Sequence, residues 1–326
     1  MSGMTVRRIT EQDSSVWASF TEGSNNGTVF HTQAFLDYHP PGRFENHHLI
    51  IESASGRVEA IVPGALSEID GEIWFRSYPG ASYGGPVLDD RTGLDKVERL
   101  VDELLKYCRK EGFAGLEITP PPVCYFRRPH NYLDFALVKR GFGYRKRELT
   151  AVIDLGRLGE EIDLAFSESA RRGVRKAVKS GLHVEEDNDF SRFYPVLAEN
   201  LKDRHGVRPT HTLEELRLLD RLLGRNMVRQ FIAVDGSGEV HAGMVMFHCN
   251  PRVTLAFYIS HNERSQSMRP VNLVYREVID WARKMGYHYL DLGTYTLDME
   301  VNHGLCRFKE SFSARGLFRN TFKGRV

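Results

Sequence analysis

The chain has 326 residues, of which 41% are hydrophobic and 27% are charged, and its formal net charge is +1. This length accommodates two domains with separate cores, and the composition is typical of a globular protein. The near-zero net charge excludes a general attraction to nucleic acid or to a membrane surface, so such an affinity would have to come from local basic clusters.

The four cysteines lie far apart and include no C-x-x-C pair, which argues against a zinc site and a disulfide framework. The thirteen histidines show no H-E-x-x-H motif, so we predict no metal site. The N-terminal residues lack the apolar segment of a signal peptide, and no stretch approaches the ~18 apolar residues of a membrane span. We therefore expect a cytoplasmic protein with no integral membrane association.

The first half of the chain is predicted to begin with a helix near residues 11–21. Turn residues then separate three antiparallel strands, expected at 48–52, 58–66 and 73–78. Apolar residues at three- and four-residue steps predict an amphipathic helix over 94–111. A short buried strand, 115–118, follows it and ends at a run of three prolines.

The second half repeats this plan after two or three connecting helices. The connecting helices are expected at 164–180, 190–204 and 212–224. Strands are expected at 228–234, 240–248 and 253–260. A helix over 271–285 and a buried strand over 289–292 complete the pattern.

The two halves also match in sequence. Residues 108–118 read CRKEGFAGLEI and residues 282–292 read ARKMGYHYLDL. Upstream, the Gly-x-Val-x-Ala pattern at 56–60 recurs at 238–242, in the same order relative to the longer match. Two matches in one order indicate a duplicated α/β unit. The sequence therefore predicts a mixed α/β fold with two tandem domains, residues 1–158 and 159–326.

Three further stretches resemble a known family. They are PGASYGGP at 79–86, SESARRGVRKAVKSGL at 167–182 and GLCRFKESFSARGLFRNTF at 304–322. Together with the predicted strand–loop–helix–strand plan, they resemble the Fem (FemABX) branch of the GNAT acyltransferases. The resemblance implies two GNAT-like domains, each a mixed β-sheet flanked by helices, with most of the active site in the second.

The same resemblance implies an activity. Fem-type enzymes attach an amino acid from aminoacyl-tRNA to an amine, typically on a cell-wall precursor, whereas related BioF2-like acetyltransferases use acyl-CoA. Either donor would serve as a co-substrate, with no bound cofactor. The expected partners are an amine acceptor, small or linked to a lipid or nucleotide, and tRNA, but not DNA. A non-catalytic GNAT-fold module that binds a nucleotide- or glycan-linked ligand is the alternative.

The resemblance places Lys309 at the reacting centre and implies that Phe308 binds substrate, because the two residues match the FK motif of the closing segment. An ammonium there would stabilise the oxyanion of the tetrahedral intermediate. The alternative is a surface lysine within a basic C-terminal segment. Arg172 and Arg175 lie on one face of the predicted basic helix, where guanidinium groups suit phosphate oxygens; a solvated charged face is the alternative.

Three further residues are weaker candidates. Tyr83, in the glycine-rich segment, and Tyr258, near the end of a predicted strand, could donate a hydrogen bond to a substrate carbonyl or pass a proton. Asp291, on a predicted buried strand, could act as a general base. The alternatives are two core tyrosines and a structural acid. Residues 263–272, ERSQSMRPVN, contain no glycine and therefore lack the pyrophosphate loop of CoA-dependent GNAT enzymes.

Overall fold

A computed structural model describes residues 3–224 and 227–326 and divides the chain into two compact units. One unit contains the residues up to Glu148 together with Phe318–Val326, and the other contains Leu149–Leu317. The predicted division lies at 158/159 and assigns the whole C-terminus to the second domain. The structure differs because both crossings fall inside long strands, β9 (Gly143–Asp154) and β17 (Arg315–Arg325), where no turn residues mark a boundary.

The first unit contains four α-helices among its described residues. They are α1 (Ser14–Gly23), α2 (Gln33–Leu36), α3 (Leu94–Lys110) and α4 (Tyr132–Lys139). Its strands are β1 (Met4–Arg8), β2 (Glu45–Asn46), β3 (Leu49–Ser53), β4 (Val58–Val62), β5 (Ala65–Ile69), β6 (Glu72–Ser77), β7 (Val87–Leu88) and β8 (Gly115–Ile118), with parts of β9 and β17. The helix predicted over 94–111 and the strand over 115–118 are thus confirmed.

These strands form two sheets. One is antiparallel with the order β1-β3-β4-β7, and the other has the order β17-β8-β6-β5-β2, in which only β6 and β8 are parallel. The strand predicted over 58–66 is in fact two strands in different sheets, because Pro63 and Gly64 interrupt it. A β-carbon on Gly64 would lie 2.1 Å from the Phe75 ring, so only glycine fits at this position.

The second unit contains five α-helices among its described residues. They are α5 (Glu168–Lys179), α6 (Tyr194–His205), α7 (Leu213–Leu223), α8 (Pro270–Lys284) and α9 (His303–Glu310). Its strands are β10 (His183–Glu186), β11 (Val228–Val234), β12 (Val240–Asn250), β13 (Val253–His261), β14 (Tyr289–Thr294), β15 (Thr296–Leu297) and β16 (Glu300–Val301). The main sheet has the order β10-β11-β12-β13-β14-β9, and only β13 and β14 are parallel.

The duplication inferred from sequence is visible in hydrogen bonds. The amide of Gly112 donates to Arg109 O at the end of α3, and the amide of Gly286 donates to Arg283 O at the end of α8. Both glycines have left-handed backbones, with φ of 76° and 81°. Corresponding helices that end at a glycine, α3 and α8, therefore lead into β8 in the first unit and into β14 in the second.

The core of the second unit lies between α8 and the sheet. Val278 and Ala282 of α8 pack with Met244 of β12 and Leu290 of β14, all fully or almost fully buried. The apolar face of α8 thus fixes the helix against the strand ends, and this contact positions the site described next. No helix among the described residues is long and apolar enough to cross a membrane.

Candidate active site

Strands β13 and β14 separate after a short paired stretch. Their ladder runs from Val253–Tyr289 to Leu255–Asp291. Beyond it, Phe257 of β13 and Leu292 of β14 both line a cavity of about 680 Å³. Helices α6, α8 and α9 supply the remaining walls. A parallel pair that opens in this way leaves a cleft in the middle of the sheet, into which an extended ligand fits.

Lys309 lies on the wall of this cavity and is only 3% exposed. Its Nζ donates to three backbone carbonyls of β14: to Leu292 O at 2.7 Å, to Gly293 O at 2.9 Å and to Thr294 O at 2.9 Å. The side chain thus supplies donors to carbonyls that have left the β13 ladder, and it keeps the diverging strand in place. This bonding also explains why a lysine is tolerated inside the unit.

Burial lowers the pKa of Lys309 to about 8, while the negative charge of Asp291 acts in the opposite direction. The three carbonyl bonds also favour the protonated form. The side chain is therefore an ammonium at neutral pH, and it places a positive charge on the cavity wall in a region sheltered from water. A charge of this kind stabilises negative charge that develops on a bound substrate.

Two aromatic rings form the wall beside Lys309. Tyr275 of α8 packs edge-on against Phe308 of α9, with ring centroids 5.0 Å apart, and both residues line the cavity. Phe312 lies behind them, 5.1 Å from the Tyr275 ring. Of the residues predicted from sequence, the structure thus brings Lys309 and Phe308 to the cavity.

Comparison with known proteins identifies this part of the chain. Residues 165–310 match a family model described as "Acetyltransferase (GNAT) domain". These residues have the sequence pattern of a GNAT acetyltransferase domain, and the fold of the chain is similar to that of FemX. A comparison with curated proteins finds no match.

Solved structures show the same fold over the whole chain. FemX has a TM-score of 0.73 and 13% sequence identity, and the match covers 98% of this chain and 97% of FemX. The C-terminal domain of a protein assigned as a lysylphosphatidylglycerol synthetase, from Agrobacterium fabrum, has a TM-score of 0.60 and 12% identity, over 96% of this chain and 91% of that one. A tandem GNAT protein from the clavulanic acid biosynthesis pathway has a TM-score of 0.58 and 11% identity, over 100% and 98%. The predicted tandem GNAT fold is therefore confirmed.

The start of α8 forms another wall of the cavity in the GNAT domain. Residues Glu263–Met268 form a 3-10 helix, and Arg269, with φ of 64°, connects it to Pro270 at the first position of α8. Proline has no backbone N–H, and the amide of Asn272 donates to Arg269 O. This helix start therefore offers fewer free amides to a phosphate than a glycine-rich loop would.

Polar side chains of α6 and β13 also line the cavity, namely Asn200, Arg204 and His261. No sequence signal indicated them. Asn200 donates to His261 O at 3.2 Å and to Glu263 Oε1 at 3.3 Å, and Arg204 pairs with the same carboxylate. Burial and the positive charge of Arg204 lower the pKa of His261, while Glu263 raises it. The imidazole is therefore neutral at physiological pH. These residues are separated by about sixty positions, so only the fold brings them together.

The predicted basic helix is α5, which packs against α8. Arg172 and Arg175 are exposed, and Arg172 pairs with Glu168 at 2.5 Å, an acid on the same helix that neutralises part of the expected cluster. Gly173 faces α8, where a β-carbon would lie 2.4 Å from the Asn272 side chain. The glycine in the basic segment thus allows α5 to approach the helix that lines the cavity, while the cations point to solvent.

Tyr258 and Asp291 are not among the residues that line the cavity. Phe257 and Ile259 line the cavity, and Tyr258, between them on β13, faces the opposite side. Its hydroxyl accepts from the His211 amide at 3.0 Å, and burial raises its pKa to about 12. Asp291 is fully buried, and its Oδ1 accepts from Thr150 Oγ1 and from the Gly293 amide. The core tyrosine and the structural acid, the alternatives given above, describe these contacts better.

Tyr83 belongs to the first unit and is fully buried there. Its ring packs edge-on against Phe30 and Tyr125, at centroid distances of 5.8 Å and 5.0 Å, and Arg319 lies 4.8 Å from its ring centre. This is the environment of a core tyrosine rather than of a residue that contacts a substrate.

A group of metal-ligand type occurs in the turn between β11 and β12. Atoms of Asp235, Glu239 and His241 lie within 4.8 Å of one another. Asp235 Oδ1 already accepts from the amides of Ser237 and Glu239, and His241 Nδ1 shares a hydrogen bond of 2.7 Å with Ser265 Oγ. These contacts account for the group as a turn, so we assign no metal to it, and the absence of a metal site stays a prediction.

Proposed function

We propose that this protein is an amide-forming N-acyltransferase that transfers an aminoacyl group from aminoacyl-tRNA to an amine of a cell-wall, glycan or nucleotide-linked acceptor. The proposal includes a cytoplasmic location, where charged tRNA is available. The observation that carries it is the buried ammonium of Lys309 on the wall of the cleft between β13 and β14. An acyl carbonyl placed in this cleft would lie beside a fixed positive charge.

The chemistry requires little more than that arrangement and a neutral amine. The amine attacks the carbonyl carbon, a tetrahedral oxyanion forms, and the bond to the ribose oxygen of the donor breaks. Positioning of the two reactants and stabilisation of the oxyanion supply most of the acceleration in such reactions. Lys309 is rigidly held by three carbonyls, so its charge needs no reorganisation when the oxyanion forms.

The α8 start supports aminoacyl-tRNA rather than acyl-CoA as the donor. A CoA pyrophosphate needs several free amides at this helix start, and here Pro270 removes one while Asn272 N is bonded to Arg269 O. The exposed cations of α5, among them Arg175, offer a separate surface for the phosphates of tRNA. Acyl-CoA is the alternative donor, and the experiments below compare the two.

The acceptor class rests on resemblance. The FK motif and the basic helix resemble Fem enzymes, which act on amines of cell-wall precursors, and the FemX fold matches almost the whole chain. The protein assigned as a lysylphosphatidylglycerol synthetase shares the fold, and its name indicates an aminoacylated lipid. Both support an acceptor in cell-envelope synthesis.

Calorimetry with CoA and with acetyl-CoA tests the donor first. We expect no heat up to about a millimolar, whereas binding at micromolar to tens of micromolar, about −6 to −8 kcal/mol, would make acyl-CoA the donor. The second assay supplies radiolabelled aminoacyl-tRNAs with amine acceptors and measures label in an alkali-stable amide, since the ester of the donor is labile.

Transfer from charged tRNA by the wild type, lost in Lys309→Met and kept in Lys284→Met, would support the proposal. Lys284 is an exposed lysine at the end of α8 and is a matched control. If neither donor gave an amide product while the protein bound a nucleotide- or glycan-linked ligand, the chain would be a binding module instead.

A further inference from the structure

Two buried polar side chains of α8 face the cavity without a protein partner. Tyr275 is 1% exposed and Asn272 is 7% exposed, and both line the cavity. Within the described residues, no protein donor or acceptor bonds to the Tyr275 hydroxyl or to the Asn272 side-chain amide. The two residues lie three positions apart, so they share one helix face. α8 therefore presents two polar side chains to the cavity, next to the apolar Pro270 and Val271 at its start.

An unpartnered hydroxyl in such a position is unusual. Buried tyrosine hydroxyls normally have a hydrogen-bond partner, and leaving one without a partner costs about 1–3 kcal/mol. Burial also raises the pKa of Tyr275, so the phenol keeps its proton and can donate. A hydroxyl that keeps its proton and has no protein partner at the wall of a cavity is available to a ligand there.

The neighbouring ammonium is in the opposite situation. All three donor directions of Lys309 Nζ are engaged with backbone carbonyls. It supplies charge to the cavity, but a direct hydrogen bond to an oxyanion would require it to release one carbonyl. Phe308 precedes Lys309 on α9 and packs edge-on against Tyr275, so one helix fixes both groups at the same wall.

We propose that Tyr275 is a catalytic residue whose hydroxyl donates a hydrogen bond to the acyl carbonyl oxygen and to the oxyanion formed from it. The inference rests on the proposed acyl transfer and adds a residue to it. The amine nitrogen forms a bond to the carbonyl carbon, and the π electron pair moves to the oxygen that Tyr275 contacts. When the carbonyl re-forms, the bond to the donor oxygen breaks, and that oxygen takes up the proton that the amine loses. Tyr275 keeps its own proton throughout.

The test compares Tyr275→Phe with Tyr287→Phe. Tyr287 is a partly buried tyrosine of the same unit whose hydroxyl shares a hydrogen bond with His248 Nδ1 and which is not among the residues that line the cavity. We expect Tyr275→Phe to lower kcat by about 10²-fold, as for the loss of one oxyanion donor. Its melting temperature should be unchanged or higher, because the change removes an unpaired polar group. Tyr287→Phe should show the reverse: a lower melting temperature and an unchanged kcat.

Each other outcome has a definite meaning. If the wild type and Tyr275→Phe transfer at rates within about fivefold of each other, the role of Tyr275 is rejected while the acyltransferase proposal stands. If Tyr275→Phe melts well below the wild type, the hydroxyl has a structural partner and the inference is overturned as well. If the wild type transfers from neither donor, the proposed function fails, and the catalytic role of Tyr275 fails with it.

Discussion

Replacement of Lys309 by methionine tests the central structural observation. The substitution keeps the length and apolar character of the side chain but removes the ammonium that bonds three carbonyls of β14. A buried carbonyl left without a donor costs about 1–3 kcal/mol. Leu292 is buried, whereas Gly293 and Thr294 are half-buried at the cavity, where water can replace the lost donor. We therefore expect a loss of about 2 kcal/mol in the free energy of unfolding at pH 7.

The loss should depend on pH with a definite sign. Lys309 releases its proton near pH 8 in the folded protein and near its ordinary value of 10.5 in the unfolded chain. Between these values the unfolded chain binds more protons, so the stability of the wild type rises with pH in this interval. The methionine variant lacks this contribution. The stability difference between the two proteins should thus widen by about 3 kcal/mol from pH 7 to pH 10.5.

Urea unfolding of the wild type, Lys309→Met and Lys284→Met at several pH values between 7 and 10.5 measures both effects. The exposed control should stay within about 0.5 kcal/mol of the wild type at each pH. A difference for Lys309→Met that is flat or shrinks with pH would refute the assignment of a buried ammonium with a lowered pKa. In the transfer assay, the same variant should lose about 10²–10³ in turnover, and a loss below about fivefold would remove Lys309 from catalysis.

A single and a double variant separate structural from functional contacts. Tyr258→Phe breaks the hydrogen bond to the buried His211 amide and should lower the free energy of unfolding by about 1–2 kcal/mol with little change in kcat; a large loss of kcat at unchanged stability would return Tyr258 to the catalytic set. Arg172→Glu combined with Arg175→Glu should weaken tRNA binding and flatten its dependence on salt. With fewer phosphate contacts, binding releases fewer counterions from the tRNA. Arg157→Glu, at an exposed arginine outside α5, should leave the salt slope unchanged; equal slopes in all three proteins would exclude α5 from tRNA binding.

The sequence predicted best those helices that combine an apolar periodicity with a terminal glycine. The apolar periodicity of α3 and α8 and their terminal glycines fixed both helices to within one residue at each end. The sequence did not predict α4 or the crossing strand β9, because α4 has only two turns and β9 carries a run of charged residues before its apolar end. The long strands also concealed the division between the units.

The site was predicted only where a contiguous motif carried it. Phe308 and Lys309 are adjacent in the FK motif and both reach the cavity. Tyr258 was placed in the site because its strand leads there, but which face of a strand a side chain takes cannot be read when both faces are apolar. Tyr275 was overlooked for a related reason. A tyrosine on the apolar face of a helix is usually a core residue, and only the fold shows that its hydroxyl has no partner.

The two units differ at the parallel strand pair that opens into the cleft of the second unit. In the first unit all four residues of β8 pair with β6, from Gly115 to Ile118, and prolines then end the strand. In the second unit only the first half of β14 pairs with β13, and Gly293 lets the strand continue away from its neighbour. The carboxylate of Glu117, which corresponds to Asp291, is bonded by two arginines of its own unit. The second copy instead has Lys309, whose three hydrogen bonds replace the missing ladder. Lys309 thus places a positive charge on the wall of the cleft and also holds the diverging part of β14 in place. Loss of Lys309 should therefore affect both stability and turnover.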